Sequence, residues 1–127
     1  MRKETRRICT AFIEGRTAKA ARTETDGDNL YLHGHRIAWW DTDEAYNNSK
    51  RILHICFCGY PTVTTKDRLN GLFWMLFGKS PFFTSNFQLY FDSKLRPVDD
   101  YEVMTFDVDL MEELANDNTI TPKQIVA

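Results

Sequence analysis

Hydrophobic and polar positions recur along this chain with two different periods. Over residues 3–14, Thr5, Ile8, Cys9, Phe12 and Ile13 fall near one side at helical spacing, while Lys3, Glu4, Arg6, Arg7 and Glu14 fall on the other. That pattern predicts an amphipathic helix, and Gly15 is its natural stop because glycine enters the left-handed region without a β-carbon penalty. Residues 16–28 show no apolar period and read as a surface loop closing on an Asp26-Gly27 turn. Asn29-Leu30-Tyr31-Leu32-His33 and Arg36-Ile37-Ala38-Trp39-Trp40 flank Gly34-His35, the pattern of a tight hairpin.

Residues 41–50 are polar and predict a connection. Residues 51–58 are rich in β-branched and aromatic side chains and read as a third strand, which Gly59-Tyr60-Pro61 ends. Thr64 or Thr65 then caps a helix over residues 66–77, with Leu69, Leu72, Phe73 and Leu76 on one stripe and Gly78 closing it. Phe82-Phe83-Thr84 and residues 86–91 predict one or two strands turning through residues 92–97, and residues 101–108 alternate as a last strand. Residues 111–114 suggest one helical turn. The expected fold is α+β: a small antiparallel sheet of about five or six strands packed against two helices. One domain over residues 1–115 and a flexible polar tail over residues 116–127 complete it.

Composition narrows the class. With 127 residues, 43% hydrophobic and 13% aromatic, the chain can form a core without a metal or disulfide to hold it. The longest apolar run, Leu72-Phe73-Trp74-Met75-Leu76-Phe77, is far short of the roughly 20 residues of a membrane helix. The charged start is not followed by a signal-type apolar stretch. Three cysteines, two of them only two residues apart, read as reduced thiols in a cytoplasmic setting.

The net charge of −2 conceals a polarity. Residues 1–22 carry seven basic and two acidic side chains, net +5, whereas residues 92–127 carry three basic and nine acidic, net −6. Such ends either meet charged partners, neutralise one another or associate between copies as a homo-oligomer; solvated charge runs are the commoner case. The anionic end argues against duplex DNA binding as the main role.

Candidate chemistry is sparse. His33 and His35, then His54, Cys56 and Cys58, alternate along expected strands, and imidazole with thiolate is zinc chemistry. Side chains two apart on one strand converge poorly on one ion, so buried thiols and a hydrogen-bonded histidine are the preferred reading, and no cofactor is expected. A cysteine nucleophile with a His54 base lacks an evident orienting carboxylate. Gly78-Lys79-Ser80 lacks the first glycine of a phosphate loop and meets Pro81.

The aromatics are more informative. Eight of the 17 lie between Phe73 and Phe91. Most must build the core, yet Trp74 lies off the helix stripe, and the consecutive pairs Trp39-Trp40 and Phe82-Phe83 point opposite ways in a strand. One member of each pair is a candidate exposed anchor.

Phe12-Ile13-Glu14-Gly15, Thr25-Asp26-Gly27, Leu30-Tyr31-Leu32-His33-Gly34-His35-Arg36-Ile37-Ala38 and Thr64-Thr65-Lys66-Asp67-Arg68-Leu69-Asn70 together resemble a family of small proteins of tailed phages and mobile elements. The resemblance spans roughly residues 1–72 and loosens beyond. It implies a phage accessory protein acting in the host bacterial cytoplasm, and it carries no catalytic residues. Its motifs look structural, with Arg68 and Asn70 the polar members that turn chemistry does not wholly explain.

The resulting expectation is a non-enzymatic protein that binds a host protein, as a host-takeover or anti-defence inhibitor, through Trp40, Trp74, Phe83, Arg68, Asp99 and Asp100. The alternative is a nucleic-acid-binding module using Arg2, Lys3, Arg6, Arg7, Arg16, Lys19 and Arg22. A metal- or thiol-dependent enzyme is the third reading.

Overall fold

The computed structural model describes residues 1–41 and 51–111. The tail expected over residues 116–127, most of the connection over 41–50 and the last part of the helical turn over 111–114 lie outside them. The chain is α+β. Helix α1 (Lys3–Ile13) is followed by β1 (Ala18–Ala20), β2 (Thr23–Thr25), β3 (Asn29–Leu32), β4 (His35–Trp40) and β5 (Ile52–Ile55). Helix α2 (Val63–Phe77), β6 (Phe82–Ser85), β7 (Gln88–Phe91) and β8 (Met104–Asp107) complete the order, with residues 108–111 helical.

Six strands form an antiparallel sheet in the order β1-β2-β3-β4-β5-β8, and β6 pairs with β7 in a separate two-stranded sheet. Leu30, Leu32, Ile37, Ala38, Leu53, Ile55, Met104 and Phe106 from the large sheet join Ile8, Phe12, Leu69, Leu72 and Phe73 from the helices in one core. Phe73 is its aromatic centre, with ring centroids 5.0 Å from Phe106, 5.3 Å from Phe82 and 6.1 Å from Phe91, all edge-on. Edge-on rings align the positive rim of one with the negative face of another, worth about 0.5–1.5 kcal/mol per pair beyond burial.

Several boundaries depart from the sequence pattern, each for a local reason. Residues 16–28 are not a loop, since β1 and β2 form a hairpin there. Its inward positions include Thr23 and Thr25, which look polar in sequence but are buried with their hydroxyls bonded. The third strand stops at Ile55; the Cys56 amide still donates to the Ile37 carbonyl of β4 at 2.9 Å, and the chain then turns away at Cys58, left-handed at φ 55°. Helix α2 starts three residues before the expected 66, because Thr62 is the cap and accepts a hydrogen bond from the Thr65 amide. The β3–β4 turn is His33-Gly34 rather than Gly34-His35, and both residues have positive φ. An Asn86-Phe87 turn divides the expected one or two strands into β6 and β7, and the expected turn over residues 92–97 follows β7.

Candidate functional site

After α2 ends at Gly78, whose φ of 72° lets its amide reach the Trp74 carbonyl, the chain enters the β6–β7 hairpin. Phe82, Leu89 and Phe91 point into the core. Asn70 clamps the base of the hairpin: its side-chain amide donates to the Phe82 carbonyl at 2.9 Å and its oxygen accepts from the Phe82 amide at 2.8 Å. The Lys66 ammonium donates to the Thr84 hydroxyl at 2.8 Å. On the other face Phe83 stacks on Tyr90, centroids 5.4 Å apart, and both are half-buried. The hairpin is therefore a docked element and not a free arm.

At its tip stands Phe87, fully exposed. Asn86 and Phe87 have φ of 49° and 66°, the two positive values of a type I′ turn, whose second position strongly favours glycine. A phenyl ring there breaks two local rules together: a bulky residue sits in the left-handed region, and a large apolar side chain stays in water. Sequence reasoning overlooks Phe87 because it takes residues 86–91 as one strand. The available signal is Ser85-Asn86-Phe87-Gln88, a polar interruption whose Asn is followed by Phe where Gly belongs.

The other candidate residues divide. Trp74 is 53% exposed on α2 and lines a shallow cavity with Met1, Asn70 and Ser80. Trp40 is half-buried, stacked on Phe12 at 5.2 Å, and its indole N–H donates to the Phe12 carbonyl at 3.1 Å. Arg68 points inward at 5% exposure. Its guanidinium donates to Thr23 at 3.0 Å, Thr5 at 2.5 Å and Asp67 at 2.7 Å, tying β2, α1 and α2 together. This interior network, rather than a contact surface, occupies it. Asp99 and Asp100 are exposed on the loop before β8, where the Asp99 carboxylate accepts from the Tyr101 amide. Arg2, Lys3, Arg6, Arg7, Arg16, Lys19 and Arg22 are all exposed. Arg16 pairs with Glu14 at 2.7 Å, and Arg7 reaches the Lys19 carbonyl at 2.7 Å.

His54, Cys56 and Cys58 do not converge. The His54 ring nitrogens meet the Thr105 hydroxyl at 2.8 Å and the Asp41 carboxylate at 2.9 Å, and Trp39 stacks beside the imidazole with the Arg36 guanidinium 4.0 Å above the indole. The Cys58 thiol donates to the Arg36 carbonyl at 3.1 Å, and burial pushes it up to about 11, with the Cys56 sulfur adding to the rise. Burial pushes Cys9 up to about 12. These two thiols are protonated at neutral pH, a state of low nucleophilicity. Among the described residues no three His, Cys, Asp or Glu side chains form a metal-binding group, and no helix is long and apolar enough to cross a membrane.

A cleft of about 480 Å³ opens between the β1–β2 and β3–β4 turns and the start of α2, lined by Arg22, His33, His35, Tyr60 and Thr64 among others. Among the described residues, Phe87 and this cleft are two features that core packing does not account for.

Among known proteins, the family model described as Kyanoviridae Gp96 protein matches residues 1–119. No curated protein and no solved structure matches the chain.

Proposed function

The chain belongs to the Kyanoviridae Gp96 family of small phage proteins, and we propose that it works as a non-enzymatic accessory protein that binds a protein of the infected bacterial cell. Phe87 carries this reading. A fully exposed phenyl ring in a left-handed turn position costs stability in the free protein. A partner pocket that buries the ring returns that cost, and buried aromatic anchors commonly dominate binding energy. The clamp of Asn70 on Phe82 holds the tip in place, so little freedom is lost on binding. Trp74 and the stacked Phe83 belong to the same α2–β6–β7 unit. Host takeover and the blocking of a host defence are the settings in which a small phage protein of this kind acts.

The test places a photo-crosslinking residue at position 87 and, as control, at Lys19. Expected is one host polypeptide captured from position 87, competed by unlabelled protein and bound at least tenfold more weakly by Phe87→Gly. Capture that is unsaturable, or equal from both positions, overturns the reading.

A nucleic-acid-binding surface is the second reading, favoured by the exposure of all seven basic residues of the first 22. Affinity for single- or double-stranded DNA that falls steeply with added salt supports it, because neutralised phosphates release counterions. Absent or salt-insensitive binding removes it.

A further inference from the structure

We propose that the cleft between the Ala21-Arg22 and His33-Gly34 turns is a binding site for a small organic phosphate. The two turns are tied together by the His33 amide, which donates to the Arg22 carbonyl at 2.8 Å. That bond fixes the Arg22 and His33 backbones side by side at the rim. Ala21 holds φ 52° in a two-residue turn position that favours glycine, so the turn that presents Arg22 is kept against its local preference.

The lining is one-sided in charge. Arg22, His33, His35, Tyr60, Thr62, Thr64 and Thr65 supply its polar groups, and no Asp or Glu is among the lining residues, although acids outnumber bases 18 to 16 in the chain. Among the described residues the Arg22 guanidinium, both imidazoles and the Thr64 and Tyr60 hydroxyls make no hydrogen bond or ion pair. These donors come from two turns, the first residue of β4, a loop and a helix. Such a spread suits a tetrahedral oxyanion that accepts several hydrogen bonds at once, with the guanidinium as its strongest donor.

The volume decides the size of the ligand. A cleft of about 480 Å³ lies within the roughly 300–1,000 Å³ range of small-molecule sites and leaves ample room beside a lone phosphate. Leu32, Ile37 and Phe57 line the same cleft, and the His35 and Tyr60 rings meet at 4.8 Å. Those three side chains are nearly closed off by the core, so the exposed His35–Tyr60 ring pair is the surface that accommodates a flat organic remainder. The site is independent of the Phe87 tip.

Calorimetric titration of the full chain with adenosine 5′-monophosphate, inorganic phosphate and adenosine tests the assignment. Expected is saturable binding of the monophosphate, weaker binding of inorganic phosphate and none of adenosine. Arg22→Gln weakens the monophosphate at least tenfold, whereas Arg16→Gln and Phe87→Gly leave it unchanged. Any of four outcomes overturns the proposal: no saturable binding of the monophosphate, adenosine binding as tightly, inorganic phosphate binding as tightly, or equal loss in Arg16→Gln. Unchanged denaturation of Arg22→Gln shows that the fold is intact, so a lost signal reports the site.

Discussion

Gly27 rests against the carbonyl of Gly15: a β-carbon added to Gly27 would lie 2.6 Å from both the carbon and the oxygen of that group. The end of α1 and the Asp26-Gly27 turn can meet this closely only because Gly27 has no side chain. Gly27→Ala is expected to destabilise the protein by about 2–4 kcal/mol, from backbone collision together with a φ of 96°. Gly15→Ala meets nothing within 4 Å and suffers only from its φ of 72°, so about 1–2 kcal/mol is expected. Urea denaturation of the two variants measures the gap, and equal losses would show that the contact is not close.

Arg68 joins three elements through one guanidinium, so Arg68→Met should cost about 2–4 kcal/mol, as it leaves the buried Thr23 hydroxyl without its donor and the Asp67 carboxylate with the Thr5 hydroxyl but no cation. Asp67 is partly exposed, which keeps the figure below that of a fully buried pair. Denaturation midpoints test this; a neutral Arg68→Met would mean that the network adds nothing.

Phe87→Gly is expected to stabilise the free protein by about 0.5–1 kcal/mol, since relief of the left-handed strain exceeds the added entropy of the unfolded chain. Thermal denaturation reads it. A large loss of stability would show that the ring is structural and would remove the reason to assign it a partner.

Cys58 should be alkylated slowly at neutral pH by iodoacetamide, with the rate rising about tenfold per pH unit from pH 7 to 10, because only the thiolate reacts. Peptide mapping resolves the site. A plateau near pH 8.5 would contradict the raised thiol.

The Arg96 guanidinium holds the Glu102 carboxyl below its ordinary value. A depressed carboxyl stabilises the fold above its unfolded value of 4.5, and the contribution disappears as pH falls from there through the folded value. Both groups are partly exposed, so Glu102→Gln should cost only about 0.5–1 kcal/mol at pH 7. The difference from the parent should vanish in strong acid; a difference that persists there would assign the effect to packing.

The helices and most strands are legible in sequence because each buries one face, and periodicity records which residues point there. Ile8, Phe12, Leu69 and Leu72 occupy core positions that the stripes of α1 and α2 mark in advance. Strands β1 and β2 escape because their inward Thr23 and Thr25 are polar until their hydroxyls find partners, and the partner of Thr23 is Arg68, 45 residues away. Asn70 escapes similarly, as its clamp on Phe82 lies across a helix end.

Local patterns, acting over neighbours in the chain, determined the α+β class, the two helix stops at Gly15 and Gly78, and the scarcity of catalytic motifs. Tertiary structure alone decided which unusual side chains are spent on the interior and which remain free. Arg68 and Trp40 are bound into the domain, while Phe87 and Arg22 are not. The reason is physical: whether a polar or aromatic group is satisfied depends on atoms brought to it from distant parts of the chain, and a sequence records the group without its neighbours.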